Sequence, residues 1–295
     1  MGRSSKDKRD IYYRKAKEEG WRARSAFKLM QLDEEFNLFA GVKRAVDLCA
    51  APGSWSQVVS RKLEAIPDSR IVAVDLNEMA PIKGVIQLQG DITNHDTVER
   101  IISHFDGLKA DIVISDGAPD VTGLHDMDEY LQGQLILAAL NVATHILRPD
   151  GKFVAKIFRG RDISLLFAQL RVFFKDVIVA KPQSSRNSSI ESFVVCQHFD
   201  LPAGYSPVMI NPFESQYGYR PSDCQSPINR VLVPFLACGD LSGLDSDQSY
   251  ACPEGYRHLA PTQAPINPIG AAPRPQAGES PAPAAAPVTA SGNSS

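Results

Sequence analysis

The sequence predicts an α/β protein built on a doubly wound, mostly parallel sheet of seven strands. Short runs rich in β-branched residues alternate with helix-length stretches between about residues 40 and 200, and this alternation is typical of βαβ units. The composition, 43% apolar and 22% charged over 295 residues, is that of a globular protein with a substantial core. The sequence shows no internal repeat.

The predicted elements follow in chain order. Seven runs have strand character, at residues 43–49, 70–76, 85–89, 110–116, 151–158, 176–181 and 191–197. Four runs have helical character, at residues 54–64, 94–104, 129–147 and 161–174. A further helix is expected around Lys28, and the last strand is expected to run antiparallel to the others. Ligands of such sheets bind beyond the carboxyl ends of the strands, so the residues after each strand are candidates for a site.

The segment after the first strand, DLCAAPGSWSQ (47–57), is rich in small residues. Gly53 lets the main chain turn tightly and approach a ligand, and Ser54 is a good N-cap for the next helix. The dinucleotide pattern G-x-G-x-x-G is absent, and Pro52 lacks the N–H that a pyrophosphate cradle needs. The loop therefore favours a smaller adenosyl ligand over a dinucleotide, and its alternative is an ordinary βα turn.

Carboxylates follow three successive strands. Asp75 lies 22 positions beyond Gly53, where an acid can accept hydrogen bonds from ribose hydroxyls. Asp91 could accept from an adenine amino group, and Asp116 follows the fourth strand. A single acid at a strand end is most often a helix N-cap, but three on one rim favour a ligand site.

Lys156 lies inside the apolar strand GKFVAKIF, where burying an unpaired amine is unfavourable. Glu191 opens the last strand, and Lys28 lies just before the core. Structural salt bridges are one reading of each residue. Asp116 and Lys156 follow neighbouring strands, however, and are expected to face one cleft, so these four groups are also candidates for a functional site.

The charge is distributed unevenly along the chain. Residues 1–28 carry a net charge of +6 and the remaining 267 residues carry −9. A basic arm on an acidic body favours a polyanionic partner, and the aromatic residues Tyr12, Tyr13 and Trp21 favour RNA, because bases stack on such rings. The alternative is a charged helix that is simply solvated.

Three regions are expected: a main domain at 1–200, an irregular extension at 201–260 and a disordered tail at 261–295. The tail holds eight Pro and nine Ala and no aromatic residue, so it cannot bury enough apolar surface to fold. The extension is rich in Pro, Gly and Ser with scattered aromatic residues such as Tyr205. It either docks a partner or packs on its own core.

Several classes of protein are disfavoured. No apolar run is long enough for a transmembrane helix, and the polar N-terminus does not look like a secretory signal. The five cysteines form no C-x-x-C pair and the six histidines show no ligand spacing, so neither a disulfide framework nor a metal site is expected. These features favour a reducing, cytoplasmic location.

The motifs together resemble the FtsJ/RrmJ family of S-adenosylmethionine-dependent RNA ribose 2′-O-methyltransferases, over roughly residues 1–200. The features that carry the resemblance are YYRKAKEEGWRARSAFKL (12–29), DLCAAPGSWSQ (47–57), GD (90–91), SDGAPDVTG (115–123) and ESF (191–193). The opening segment is most similar to the eukaryotic branch that methylates the tRNA anticodon loop. The implied fold is a Rossmann-like methyltransferase sheet.

The resemblance implies roles for individual residues. The residues implied to bind S-adenosyl-L-methionine are Gly53, Trp55, Asp75, Asp91 and Asp116. The implied catalytic set is Lys28, Asp116, Lys156 and Glu191, and the residues expected to contact RNA are Arg22, Arg24 and Lys28. The implied partners are tRNA and helper proteins that position it, one built from WD40 repeats and one from helical repeats.

The sequence leaves other functions open. A ribosomal RNA methyltransferase, a small-molecule methyltransferase and a non-catalytic RNA-binding protein remain alternatives. Lys156 could take the proton of a ribose 2′-hydroxyl only as a neutral amine, and a second lysine and two acids act on it in opposite directions. The sequence therefore does not decide whether Lys156 is a general base or stabilises a developing alkoxide by its charge.

Overall fold

A computed structural model describes residues 10–119, 125–160, 163–186 and 189–209, together with residues 228, 254 and 255. The chain divides into two units, residues 1–248 and 249–295. The first unit contains the sheet and its helices. In the second unit the structure describes only Glu254 and Gly255, which form a turn.

Six helices and seven strands make up the described part of the first unit. The helices are α1 (Ile11–Glu18), α2 (Ala26–Phe36), α3 (Ser54–Leu63), α4 (His95–Ser103), α5 (His125–Ile146) and α6 (Ile163–Phe173). The strands are β1 (Arg44–Leu48), β2 (Arg70–Asp75), β3 (Val85–Gln89), β4 (Ala110–Ser115), β5 (Leu147–Phe158), β6 (Phe174–Ala180) and β7 (Glu191–Phe199). Every predicted strand and helix is present. α5 and β5 each begin four residues before their predicted starts.

The seven strands form one sheet in the order β3-β2-β1-β4-β5-β7-β6. The pairs from β3 to β5 are parallel, whereas β7 is antiparallel to both β5 and β6, as predicted for the last strand. Phe158 at the carboxyl end of β5 is paired with Glu191 at the start of β7. The antiparallel insertion therefore brings the first residue of β7 to the edge where the parallel strands end.

Helices cover both faces of the sheet. On one face α2 and α3 pack against the strands around Trp55 and Phe193, whose ring centroids lie 5.6 Å apart. On the other face α4, α5 and α6 enclose a second cluster that includes Phe153 and Phe174. Within β1, Ala45 belongs to one cluster, whereas Val46 and Leu48, which lie two positions apart, belong to the other, as the period of two in a strand requires.

The first residues of the predicted extension pack on the sheet domain. Tyr205 is buried, and its ring meets Phe173 edge to face with centroids 5.1 Å apart. Asn141 Nδ2 donates to the Val208 carbonyl at 2.9 Å. The boundaries at 1–200, 201–260 and 261–295 stay predictions, and the predicted disordered tail lies outside the described residues. In the part of the chain that the structure describes, no helix combines the length and the apolar character needed to cross a membrane.

Candidate active site

Lys28 lies in the first turn of α2, where it reaches Glu191 at the start of β7. Lys28 Nζ donates to Glu191 Oε2 at 2.7 Å and is 2.6 Å from Oε1. Both side chains are largely buried, with 12% and 13% of their surfaces exposed. The contact therefore fixes the helix before the core against the last strand, at the edge where ligands of this fold bind.

Lys156 and Asp116 form the second pair. Lys156 Nζ lies 2.9 Å from Asp116 Oδ1 and donates to the Asp116 carbonyl at 2.7 Å. Their side chains are 11% and 17% exposed. The expectation that the two residues share one cleft is confirmed, because β4 and β5 are parallel neighbours whose carboxyl ends lie together.

The two pairs join into one group. Lys156 Nζ is 3.9 Å from Glu191 Oε2, so cation and anion alternate along a chain of four side chains. We call these residues, Lys28, Asp116, Lys156 and Glu191, the lysine–carboxylate cluster. The sequence predicted that these four groups converge, and the structure brings all four together.

The charge of Glu191 is stabilised by its neighbours. Burial raises the pKa of Glu191, but the nearby Lys28 and Lys156 amines and the hydrogen bonds from Lys28 and Ser185 outweigh burial and hold the pKa below its ordinary value of 4.5. Ser185 Oγ donates to Glu191 Oε1 at 2.9 Å. The cluster therefore contains a carboxylate that is ionised at neutral pH and lies between two lysines.

Gly53 provides the sharp turn between β1 and α3. Its φ is +100°, in the region that favours glycine, and it is the N-cap of α3 in place of the predicted Ser54, which is the first residue of the helix. A Cβ at this position would lie 2.7 Å from Arg22 Nη1 and 2.8 Å from Ile82 Cδ1. The first amides of α3 have no acceptor within the helix. This turn can therefore bring N–H groups close to an anionic group of a ligand.

The other predicted cofactor carboxylates lie along the same rim. Asp75 Oδ2 accepts from the Ala51 N–H at 2.8 Å, and its Oδ1 accepts from the Asn77 N–H at 2.8 Å. Asp91 is exposed, and its Oδ1 accepts from the N–H and hydroxyl of Thr93. Asp75 thus shapes the loop after β1 as well as facing the rim.

The side chain of Trp55 is placed in the core. It is 1% exposed, and its Nε1 donates to the Ser25 carbonyl at 2.9 Å. The indole therefore ties α3 to the start of α2, three residues before Lys28. A cofactor contact by this residue would have to use its main-chain amide in the first turn of α3.

The two arginines predicted to contact RNA are engaged within the protein. Arg22 Nη1 donates to the Pro52 carbonyl at 2.9 Å, and its Nη2 donates to the Ala80 carbonyl at 2.7 Å. Arg24 forms an ion pair with Asp10 and donates to the Ser184 carbonyl. These contacts connect the N-terminal segment to both sides of the candidate site, and the RNA role of both residues stays a prediction.

The sequence patterns predict no role for Asp47. Its carboxyl is fully buried at the end of β1, and Ser56 Oγ donates to its Oδ2 at 2.5 Å. Burial raises the pKa of Asp47 to about 7, and the hydrogen bond from Ser56 opposes this rise. The nearby carboxylates Asp116 and Asp75 raise the pKa further. A polar residue next to a ligand loop is visible in the sequence, but its degree of burial is not.

One group of potential metal ligands occurs among the described residues. His95, Asp96 and Glu99 lie close together at the start of α4, and all three are exposed. Exposed acidic groups of this kind are common without an ion, so this group does not support a metal site.

Known proteins share both the sequence and the fold. Residues 21–199 match the sequence profile of the family described as FtsJ-like methyltransferase. A tRNA (cytidine(32)/guanosine(34)-2′-O)-methyltransferase of Mus musculus is 62% identical over 273 residues, which cover 91% of this chain and 84% of the mouse protein. The protein of the same description from Schizosaccharomyces pombe is 60% identical over 260 residues, covering 85% of this chain and 88% of the yeast protein.

Among solved structures, a crystal structure assigned as a ribosomal RNA methyltransferase from Plasmodium falciparum matches with a TM-score of 0.54 and 26% identity. The match covers 61% of this chain and 98% of the Plasmodium chain. The described sheet and its helices are therefore similar to an assigned RNA methyltransferase over almost its whole length.

Proposed function

Since this chain belongs to the FtsJ-like methyltransferase family, we propose that it methylates a ribose 2′-hydroxyl in the anticodon loop of tRNA, with S-adenosylmethionine as the methyl donor. The observation that carries this proposal is the lysine–carboxylate cluster at the carboxyl edge of the sheet. Relatives at 60% identity or more are named for positions 32 and 34 of tRNA, which supports the anticodon loop as the substrate region.

The residues on the rim fit the cofactor. The φ of +100° at Gly53 fits a tight turn that lets the main chain approach a ligand closely. We propose that the amides at the start of α3 bind the anionic end of the cofactor, that Asp75 accepts from its ribose and that Asp91 accepts from its adenine amino group. When bound, S-adenosylmethionine supplies an electrophilic methyl group with an activated leaving group.

The protein must then prepare the 2′-hydroxyl, which is a weak nucleophile because it is protonated at neutral pH. We propose that Lys156 takes this proton as the general base while Lys28, held by Glu191, orients the hydroxyl. Asp116 holds the Lys156 amine through its carbonyl and its carboxylate. In the alternative role, both lysines stabilise a developing alkoxide by their charge, and the proton leaves late to Asp116 or water.

The names of the relatives include a cytidine and a guanosine, two bases of different size and hydrogen-bonding pattern. A site that acts on both must recognise the ribose they share rather than either base. We therefore propose that separate helper proteins select the nucleotide, and the family resemblance implies a WD40-repeat protein and a helical-repeat protein. Adding each helper separately to the purified chain should direct methylation to a different position of the loop.

We also propose a cytoplasmic location. The two cysteines in the described part of the chain, Cys49 and Cys196, are free thiols. Burial raises the pKa of both thiols, to about 12 for Cys49. Free thiols fit a reducing compartment, and fractionation of cells that express the full chain tests the location.

The experiment that tests the reaction uses methyl-labelled S-adenosylmethionine, undermethylated tRNA and the purified full chain, alone and with a helper. The readout is the set of ribose-methylated nucleosides after digestion, and Lys156→Ala is the control. We expect label in a 2′-O-methyl nucleoside that the variant does not produce. Label on ribosomal RNA but none on tRNA would keep the chemistry and overturn the substrate. No label on any RNA would overturn the proposed function.

A further inference from the structure

Gln132 in α5 lies beside the end of β4, which Asp116 follows, and beside the part of β5 that contains Lys156. Its side chain is buried, with 2% of the residue exposed. Its Nε2 donates to the Lys156 carbonyl at 2.8 Å and to the Gly117 carbonyl at 3.1 Å. One side-chain amide therefore contacts the main chain of Lys156 itself and of the residue that follows Asp116.

These bonds occur where the sheet ladder ends. The last paired residues of β4 and β5 are Ser115 and Ala155. The next residue along the chain in each case, Asp116 after β4 and Lys156 within β5, is a member of the lysine–carboxylate cluster. Beyond the ladder, main-chain hydrogen bonds no longer set the spacing of the two strands, and the Gln132 amide bridges the gap.

The chain after Asp116 is also confined from other directions. A Cβ at Gly117 would lie 2.9 Å from Cys49 Cβ and 2.9 Å from Leu135 Cδ2. The main chain at Gly117 thus passes closely between the end of β1 and α5, and the amide of Gln132 holds its carbonyl. A substitution at position 132 is therefore expected to move the main chain at Gly117 and, with it, Asp116.

The side-chain oxygen of Gln132, unlike its nitrogen, makes no hydrogen bond to the described residues. Gln132 Oε1 is buried and lacks a hydrogen-bond partner in the described structure. An unpaired buried oxygen is unfavourable, and an apolar side chain of similar length would fill the same space without it. The two bonds donated by Nε2 explain why an amide stands at this position.

We infer that Gln132 is a positioning residue that sets the distance between the Asp116 carboxylate and the Lys156 amine, an inference that rests on the proposed function. It acts through the main chain of the two strands and not by touching substrate. Its removal should slow the chemical step, because that step depends on the alignment of the cluster. Binding of tRNA and of S-adenosylmethionine should change little.

The test compares Gln132→Met with Asn141→Leu in the full chain. Asn141 is the matched control, because it is also a buried amide on α5 that donates to a main-chain carbonyl, that of Val208, outside the cluster. For Gln132→Met we expect kcat to fall about 10- to 100-fold, with KM for both substrates within about twofold of wild type. For Asn141→Leu we expect a lower melting temperature with kcat near that of wild type.

A second readout does not need activity. Reductive methylation of Lys156, followed by mass spectrometry across a pH series, reports on the environment of its amine. We expect Gln132→Met to shift the pH dependence of this modification and Asn141→Leu to leave it unchanged. A wild-type kcat and an unshifted modification profile in Gln132→Met would overturn the inference, as would equal losses of kcat in the two variants.

The two proposals fail in distinguishable ways. If wild type transfers no methyl group to any RNA, the proposed function fails, and the modification profile of Lys156 still decides whether Gln132 controls the cluster. If wild type is active and Gln132→Met matches it in both readouts, only the role of Gln132 fails.

Discussion

Lys28 and Glu191 are 163 residues apart in the sequence, yet the Lys28 amine lies within 2.7 Å of both oxygens of the Glu191 carboxylate. This contact joins the helix that precedes the sheet to the last strand. It also places one lysine of the cluster in a fixed orientation. The pair therefore contributes to stability and to the proposed chemistry together, and the two contributions can be measured separately.

Replacing Glu191 by glutamine should lower both activity and stability. The variant leaves the Lys28 amine largely buried without its anion, which we expect to cost about 1–3 kcal/mol of the free energy of unfolding at neutral pH. The folded protein holds the pKa of Glu191 below 4.5, so this stabilisation is present above pH 4.5 and is lost as pH falls further. Thermal unfolding at two pH values checks this. The prediction would be contradicted if the two melting temperatures differed as much at about pH 3.5 as at neutral pH.

Replacing Lys156 by arginine should separate the two roles open to this residue. Arginine keeps the positive charge but does not lose its proton in proteins. If Lys156 is the general base, the single-turnover methylation rate of wild type rises with pH. The rate of the variant should not rise with pH and should be about 10²–10⁴-fold lower. Lys28→Arg serves as the control and should retain the rise. An unchanged pH dependence in Lys156→Arg would instead assign the cluster an electrostatic role.

Asparagine at position 47 should stabilise the protein most at high pH. The folded protein raises the pKa of Asp47 from 3.8 to about 7 because the carboxyl is buried. The folded state thus binds a proton that the unfolded state releases, so this residue lowers stability as pH rises between those values. Between about pH 4 and pH 8, we expect the free energy of unfolding of Asp47→Asn to increase by roughly 2–4 kcal/mol relative to that of wild type. Unfolding by denaturant at both pH values measures the free energies of unfolding of the two proteins. A difference between them that is the same at both pH values would contradict the prediction.

Alanine at position 53 should weaken cofactor binding as well as stability. Gly53 has a φ of +100° and has no space for a Cβ between Arg22 and Ile82. Gly20→Ala is a matched control, because Gly20 also has a positive φ of +76° but a Cβ there would meet nothing within 4 Å. The free energy of unfolding of Gly20→Ala should fall by about 1 kcal/mol, from backbone strain alone. Gly53→Ala should lose more, and calorimetry should show weaker S-adenosylmethionine binding only in this variant.

Exposed cations of α1 should contribute to tRNA binding more directly than the guanidinium groups of Arg22 and Arg24, which are engaged within the protein. Arg14 and Lys15 are exposed on α1, whereas Arg22 donates to three main-chain carbonyls, those of Pro52, Ala80 and Pro81. Alanine at 14 and 15 should weaken tRNA binding and reduce its salt slope by about 1 per residue, with an unchanged melting temperature. Arg22→Ala should lower the melting temperature. Equal salt slopes in wild type and the double variant would argue against a phosphate contact by α1.

The sequence predicts the residues that follow a strand better than those that depend on packing. Asp75, Asp91, Asp116 and Lys156 could be located because the ends of parallel strands share one edge. The roles of Lys28 and Glu191 rest more on the family resemblance, because nothing local shows that α2 docks on β7. The burial of the Trp55 ring depends in the same way on contacts with distant segments.

The carbonyls that Arg22 and Arg24 bind lie between 30 and 160 residues away in the sequence. Charge and spacing do not show such contacts, and the RNA role predicted for both arginines does not take them into account. The amide of Gln132 was missed for a related reason, because its partners are main-chain atoms that any residue would offer.

The insertion of β7 between β5 and β6 also bears on how the protein is made. Translation finishes β6 before β7, yet β6 has no neighbour in the sheet until β7 arrives. One edge of β5 and the apolar residues of β6 therefore have no partner strand until β7 has been synthesised to residue 199. A chain stalled within this interval exposes two unpaired edges, which are templates for aggregation. The order of strands therefore makes the interval between β6 and β7 the part of synthesis in which the unfinished sheet is most exposed to aggregation.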